Sequence, residues 1–88
     1  MCTIIIYGIG SQKQRELERR LRTSIKLVKG AVRIRWEDQV EAFVNKGIEQ
    51  IPAIEINGLV VPYHDLPEGI GLTRLIESNV NNQTPEKL

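Results

Sequence analysis

The sequence predicts an α/β domain of order β-α-β-α-β-β-α, with a mixed four-stranded sheet flanked by helices. Three observations predict it. Cys2–Tyr7 is a continuous apolar and β-branched run closed by Gly8 and Gly10, the pattern of a strand buried on both faces. Leu17, Leu21, Ile25 and Val28 recur at spacings of four, four and three, which gives a helix one apolar stripe. Asn57-Gly58 divides two apolar runs and is the strongest short hairpin signal, a type I′ turn. A strand–helix–strand start requires a parallel pair with a right-handed crossover, and the hairpin adds an antiparallel pair.

The elements follow in order. After the first strand, Ser11 opens a helix that Gly30 closes. In Ala31–Glu37, Val32, Ile34 and Trp36 alternate with Arg33 and Arg35, so this strand has one wet face. Its parity places Trp36 in the core with Val32 and Ile34. Asp38 and Glu41 form an N-terminal capping pattern for a short second helix. Val40, Phe43 and Val44 supply its apolar face, and Gly47 suits its C-terminal cap. Ile51–Ile56 is the third strand, interrupted near its start by Pro52, and Leu59–Pro62 is the fourth. Leu66, Ile70, Leu75 and Ile76 mark a last helix. Gly69 and Gly71 weaken its first turn, so its firm part is Leu72–Asn79. Residues 1–80 form one domain, and residues 81–88 read as a flexible tail.

Composition excludes several classes. At 88 residues the chain is one domain with an adequate core, and 41% apolar and 26% charged residues are ordinary for a globular protein. Cys2 is the one cysteine, so no intrachain disulfide forms, and with His64 as the one histidine a soft-ligand metal site is not expected. No run approaches a membrane span, and no secretory pattern opens the chain, so the cytoplasm is expected. The net charge of +1 is polarised. Residues 1–37 hold nine Lys/Arg and three Glu, net +6, whereas residues 38–88 hold three Lys/Arg and eight Asp/Glu, net −5. Arg15, Arg19, Arg22 and Lys26 fall opposite the apolar stripe of the first helix. This face suits an acidic partner or, more commonly, is just solvated. The opposite poles also suit a homodimer. The few aromatics disfavour stacking on nucleic acid.

The element order and two joint segments resemble the thioredoxin family, closest to its small glutaredoxin-sized archaeal and bacterial branch. The segments are Ile4-Ile5-Ile6-Tyr7-Gly8-Ile9-Gly10-Ser11-Gln12-Lys13-Gln14 and Ile51-Pro52-Ala53-Ile54-Glu55-Ile56-Asn57-Gly58-Leu59-Val60-Val61. The resemblance covers about residues 3–79. It implies a thioredoxin-like fold, a cis Pro52, and a groove before that proline that receives an extended peptide. At the positions of the family's two redox cysteines stand Ser11 and Gln14. The family's chemistry needs a thiolate at a helix N-terminus. A serine hydroxyl there neither ionises near neutral pH nor forms a disulfide, so dithiol chemistry is not expected.

Ser11 and Gln14 have a local reading as well. Ser-x-x-Gln is a capping box, with the Ser11 hydroxyl accepting from the Gln14 N–H and the Gln14 side chain reaching back to the Ser11 N–H. Cys2 reads as a small apolar residue far from any activating helix start, and His64 as a solvated loop residue. The expected function is a redox-inactive, cofactor-free module that holds a protein or peptide segment on Gly10, Ser11, Gln12, Lys13, Gln14, Ile51 and Pro52, with Arg15 and Arg19 alongside. The alternatives are a divergent oxidoreductase or glutathione-binding enzyme without the dithiol, and a nucleic-acid module on the basic helix.

Overall fold

The computed structural model describes residues 2–81. Strand β1 (Cys2–Tyr7) leads to helix α1 (Gln12–Ile25), strand β2 (Val32–Glu37), helix α2 (Val40–Asn45), strand β3 (Ala53–Ile56) and strand β4 (Leu59–Pro62). A 3-10 turn over Tyr63–Asp65 precedes helix α3 (Ile70–Asn81). The predicted order holds, and the four strands form one mixed sheet in the order β2-β1-β3-β4. β1 runs parallel to β2 and antiparallel to β3, and β3 pairs antiparallel with β4.

Register explains the core. Cys2, Ile4 and Ile6 lie on one face of β1, and the register sets Ile4 beside Ile56 and Ile6 beside Ile54. Leu17 and Leu21 of α1 and Leu72 and Ile76 of α3 close over them in one buried cluster. The other face carries Tyr7, whose ring meets Phe43 of α2 edge-on, centroids 6.1 Å apart. The sheet is thus a central layer, with α1 and α3 on one side and α2 on the other. The hairpin turn is as expected, with Asn57 at φ 52° and Gly58 at φ 85°, the two positive angles of a type I′ turn.

Several expectations are corrected. α1 stops at Ile25, with Lys26 as its C-cap. Leu27 N–H then bonds Ser24 O and Val28 N–H bonds Ile25 O, so the chain tightens after the helix while Val28 stays buried. The Asp38/Glu41 cap does not form. Gln39 takes the N-cap position without a side-chain bond, and its own N–H is taken by Glu37 Oε2 at 3.2 Å. Val40 and Val44 are exposed, because this six-residue helix turns only Phe43 to the sheet. Its C-terminal end does follow expectation. Gly47 N–H bonds Val44 O and Ile48 N–H bonds Phe43 O, the paired bonds of a Schellman motif.

β3 starts at Ala53 rather than Ile51, after a cis Ile51–Pro52 bond. α3 starts at Ile70, earlier than its glycines suggested, and continues through Asn81, one residue past the expected domain boundary. The rest of the expected tail, residues 82–88, lies outside the described residues. Trp36 keeps the parity of Val32 and Ile34 but is 47% exposed, because β2 is an edge strand with no neighbour on its outer side among the described residues.

Ile54→Ala removes a fully buried side chain from the central face and should cost about 2–5 kcal/mol of unfolding free energy by urea denaturation. Val44→Ala, on the exposed side of α2, should cost less than about 0.5 kcal/mol. Equal losses for the two variants would contradict this assignment of faces.

Candidate functional site

The strand-to-helix turn after β1 positions Ser11 and Gln14. Ser11 is the N-cap of α1, in extended backbone, and its Oγ accepts from the Gln14 N–H at 3.2 Å. The reciprocal bond differs from expectation. Gln14 Oε1 accepts from the Gly10 N–H at 2.7 Å, one residue before Ser11. That reach draws the Gln14 carboxamide under the turn, where it is buried against Gly8. A Cβ on Gly8 would overlap the carboxamide, so the close approach requires glycine there. Both side chains at the resemblance's cysteine positions are therefore spent on capping. Cys2 is fully buried in β1, and burial pushes its thiol above the ordinary range.

Opposite this turn lies the segment before β3. Lys13, Glu49, Gln50, Ile51, Pro52, Tyr63 and His64 line a recess of ≈ 370 Å³. The structure thus brings Lys13 together with Ile51 and Pro52, as the expected surface requires. Among the described residues, the Ile51 N–H and C=O enter no hydrogen bond, whereas Pro52 O accepts from the Tyr63 N–H at 3.0 Å. His64 was expected as a solvated loop residue. It is exposed but stands on the wall of this recess, 3.5 Å from Asp65 Oδ1.

The remaining expected residues separate. Gly10 and Gln14 line a second recess with Gly8, Ile9, Trp36 and Asp38. Arg15 is exposed on the outer side of α1. Arg19 lines an apolar groove between α1 and α3, away from Ile51. Gln12 is exposed at the helix start. No group of His, Cys, Asp or Glu among the described residues has the clustering of a metal site. No helix among them is long and apolar enough to cross a membrane.

Sequence reasoning missed the cluster that holds this side of the molecule in place. Glu55 sits on β3 with its side chain under α2 and is nearly buried. Tyr7 donates its hydroxyl to Glu55 Oε1, and Lys46 Nζ, at the C-cap of α2, lies 3.1 Å from Glu55 Oε2. Burial alone would push the Glu55 carboxyl up, but the Tyr7 hydrogen bond and Lys46 outweigh it and hold the carboxyl below its ordinary value. Burial, together with that bond to Glu55, pushes the Tyr7 phenol up to about 12. The available signal was a lone glutamate inside an otherwise apolar strand.

Ser11→Ala should cost about 0.5–2 kcal/mol by urea denaturation, and Ser11→Asp should restore most of it. The Glu55 carboxyl is lowered on folding, so its stabilising contribution is present above the ordinary carboxylate range and is lost as pH falls through its folded value. Glu55→Gln should flatten that acid limb of the stability profile. Ultraviolet titration should show a phenol ionising near 12 that Tyr7→Phe removes. Comparison of the chain with protein-family models, with curated proteins and with solved structures returns no match.

Proposed function

We propose that this chain is a redox-inactive, thioredoxin-like binding domain whose recess between the start of α1 and the Ile51–Pro52 segment holds an extended protein segment. The observation that carries the reading is the unpartnered Ile51 backbone. An N–H and a C=O free at a recess wall are a ready half of a strand-like pairing. The sheet order β2-β1-β3-β4, with Pro52 entering β3 beside the start of α1, supports a thioredoxin-like arrangement. The capping of Ser11 and Gln14 supports the loss of redox chemistry. The half-exposed Ile51 side chain adds an apolar anchor at the rim.

Glutathione is the second ligand that the recess suits. Lys13 stands on the wall opposite Ile51, where a ligand carboxylate would meet it while its backbone pairs with Ile51. Such a site would orient a thiol and lacks a protein nucleophile to attack it.

With dithiothreitol as reductant, the native chain should not accelerate insulin reduction, whereas Ser11→Cys/Gln14→Cys should. Activity of the native chain would refute the redox-inactive reading. Peptides selected from a random library should lose binding to Ile51→Asp and Lys13→Glu and keep it with Arg19→Glu. Amide shifts at Lys13 and Ile51 on adding millimolar glutathione, with no peptides selected, would move the assignment to the second ligand.

A further inference from the structure

Among the described residues β2 is the outer strand of the sheet, and its outer side, which pairs with no other strand there, is equipped for pairing. Cys2 N–H bonds Ala31 O and Gly8 N–H bonds Glu37 O, at 3.0 and 3.1 Å. In a parallel ladder each residue directs its N–H and C=O to the same side, and successive residues alternate. Ala31, Arg33, Arg35 and Glu37 therefore spend their backbone groups on β1. Val32, Ile34 and Trp36 direct theirs outward. The strand runs six residues in unbroken register with β1, without proline or bulge. The opposite edge is blunter: β4 has four residues and ends in Pro62.

The side chains along β2 give this edge a sign. Arg33 and Arg35 project from one face, both exposed. On the other face Trp36 is accessible, and the Arg22 guanidinium sits 5.6 Å from its ring centroid. Arg15, Arg19 and Lys26 continue the positive charge along the exposed side of α1. Arg22 is paired with Glu18 at 3.1 Å, and Glu37 and Asp38, which accept hydrogen bonds from the neutral Gln39, keep their negative charge at the C-terminal end of the strand. The positive charge of the edge is thus that of Arg33 and Arg35 on one face, with Ile34 and Trp36 as the apolar part of the other.

The geometry points to β2 as a docking edge for an extended acidic protein segment, added as a fifth strand. Its main chain pairs with the outward groups of Val32, Ile34 and Trp36. Its carboxylates stand opposite Arg33 and Arg35, and an apolar side chain covers Ile34 and Trp36. A second copy of this chain is a poor occupant. Antiparallel pairing of two β2 edges centred on Ile34 sets Arg33 against Arg35 of the other copy, twice, and like charges directly opposite are destabilising. This surface is separate from the Ile51 recess and does not depend on the function proposed for it.

The test uses the full chain and a capped octapeptide of alternating glutamate and valine, with a lysine–valine octapeptide as control. The acidic peptide should shift the Val32, Ile34 and Trp36 amides saturably and slow their hydrogen exchange, and the lysine peptide should not. Arg33→Glu/Arg35→Glu should weaken the acidic peptide by about tenfold and admit the lysine peptide. Ile51→Asp should leave edge binding unchanged. Should the charge reversal fail to fold, raising the salt of the native protein should weaken the acidic peptide instead. Unmoved β2 amides at millimolar peptide, equal binding of both peptides, or shifts confined to Lys13 and Ile51 would each overturn the proposal. So would a dimer with protected β2 amides in the absence of peptide.

Discussion

A carboxylate on an interior strand has to be paired, and Glu55 makes its partners the arbiters of how α2 sits on the sheet. A six-residue helix has too few internal bonds to stand by itself. It is held by one aromatic contact, Phe43 on Tyr7, and by one charged link, Lys46 to Glu55. Tyr7 serves both, presenting its ring to α2 and its hydroxyl to Glu55. The ion pair need not be a large net stabiliser, since desolvation offsets much of its attraction. Its effect is placement. Gly47 turns the chain out of α2, and the segment from Ile48 to Pro52 is delivered to the recess beside α1. The Lys46–Glu55 link thus anchors the end of α2 from which the chain departs towards Ile51.

The start of α1 shows the complementary constraint. Its cap satisfies two N–H groups with neutral oxygens, so no anion is required there. The first turn contains no acid, while Lys13 and Arg15 stand close to the positive end of the helix dipole. Cations at that end are unfavourable for the isolated helix. An acidic or carboxylate-bearing partner relieves both the dipole and the side chains at once. Further along α1, Arg22 is paired with Glu18 and its guanidinium lies over Trp36 of β2.

Much of this was legible in the sequence, for reasons that can be named. Buried strands and the α1 stripe are written by periodicity, and the hairpin by Asn57-Gly58, because each depends on neighbours close in the chain. The capping box was legible in type, but the Gln14 carboxamide reaches Gly10 because the glycine turn lets it pass beneath Gly8. Trp36 shows the limit of parity. Alternation gives the face of a strand, whereas burial depends on whether a neighbouring element covers it, and that is set by sheet order. The Tyr7–Glu55–Lys46 cluster was illegible for the same reason, since Tyr7 and Glu55 are 48 residues apart in the chain. Expected site residues on one helix, such as Gln14 and Arg19, then diverge into different recesses because successive turns of α1 face different neighbours.

Arg33 and Arg35 also bear on a conflict that any open sheet edge raises. Exposed backbone groups invite pairing with whatever strand arrives, and charged residues along the edge are the usual protection. Protection by charge is selective, however. It repels a copy of the same strand and any cationic segment, and an apolar segment gains nothing from the arginines. It lowers the barrier for one of opposite sign. A proline or a bulge would interrupt the β2 edge for every partner, as Pro62 removes an N–H from the end of β4. Two arginines on an unbroken six-residue strand instead leave the ladder intact, and by their charge they would disfavour a second copy while favouring the acidic strand proposed above.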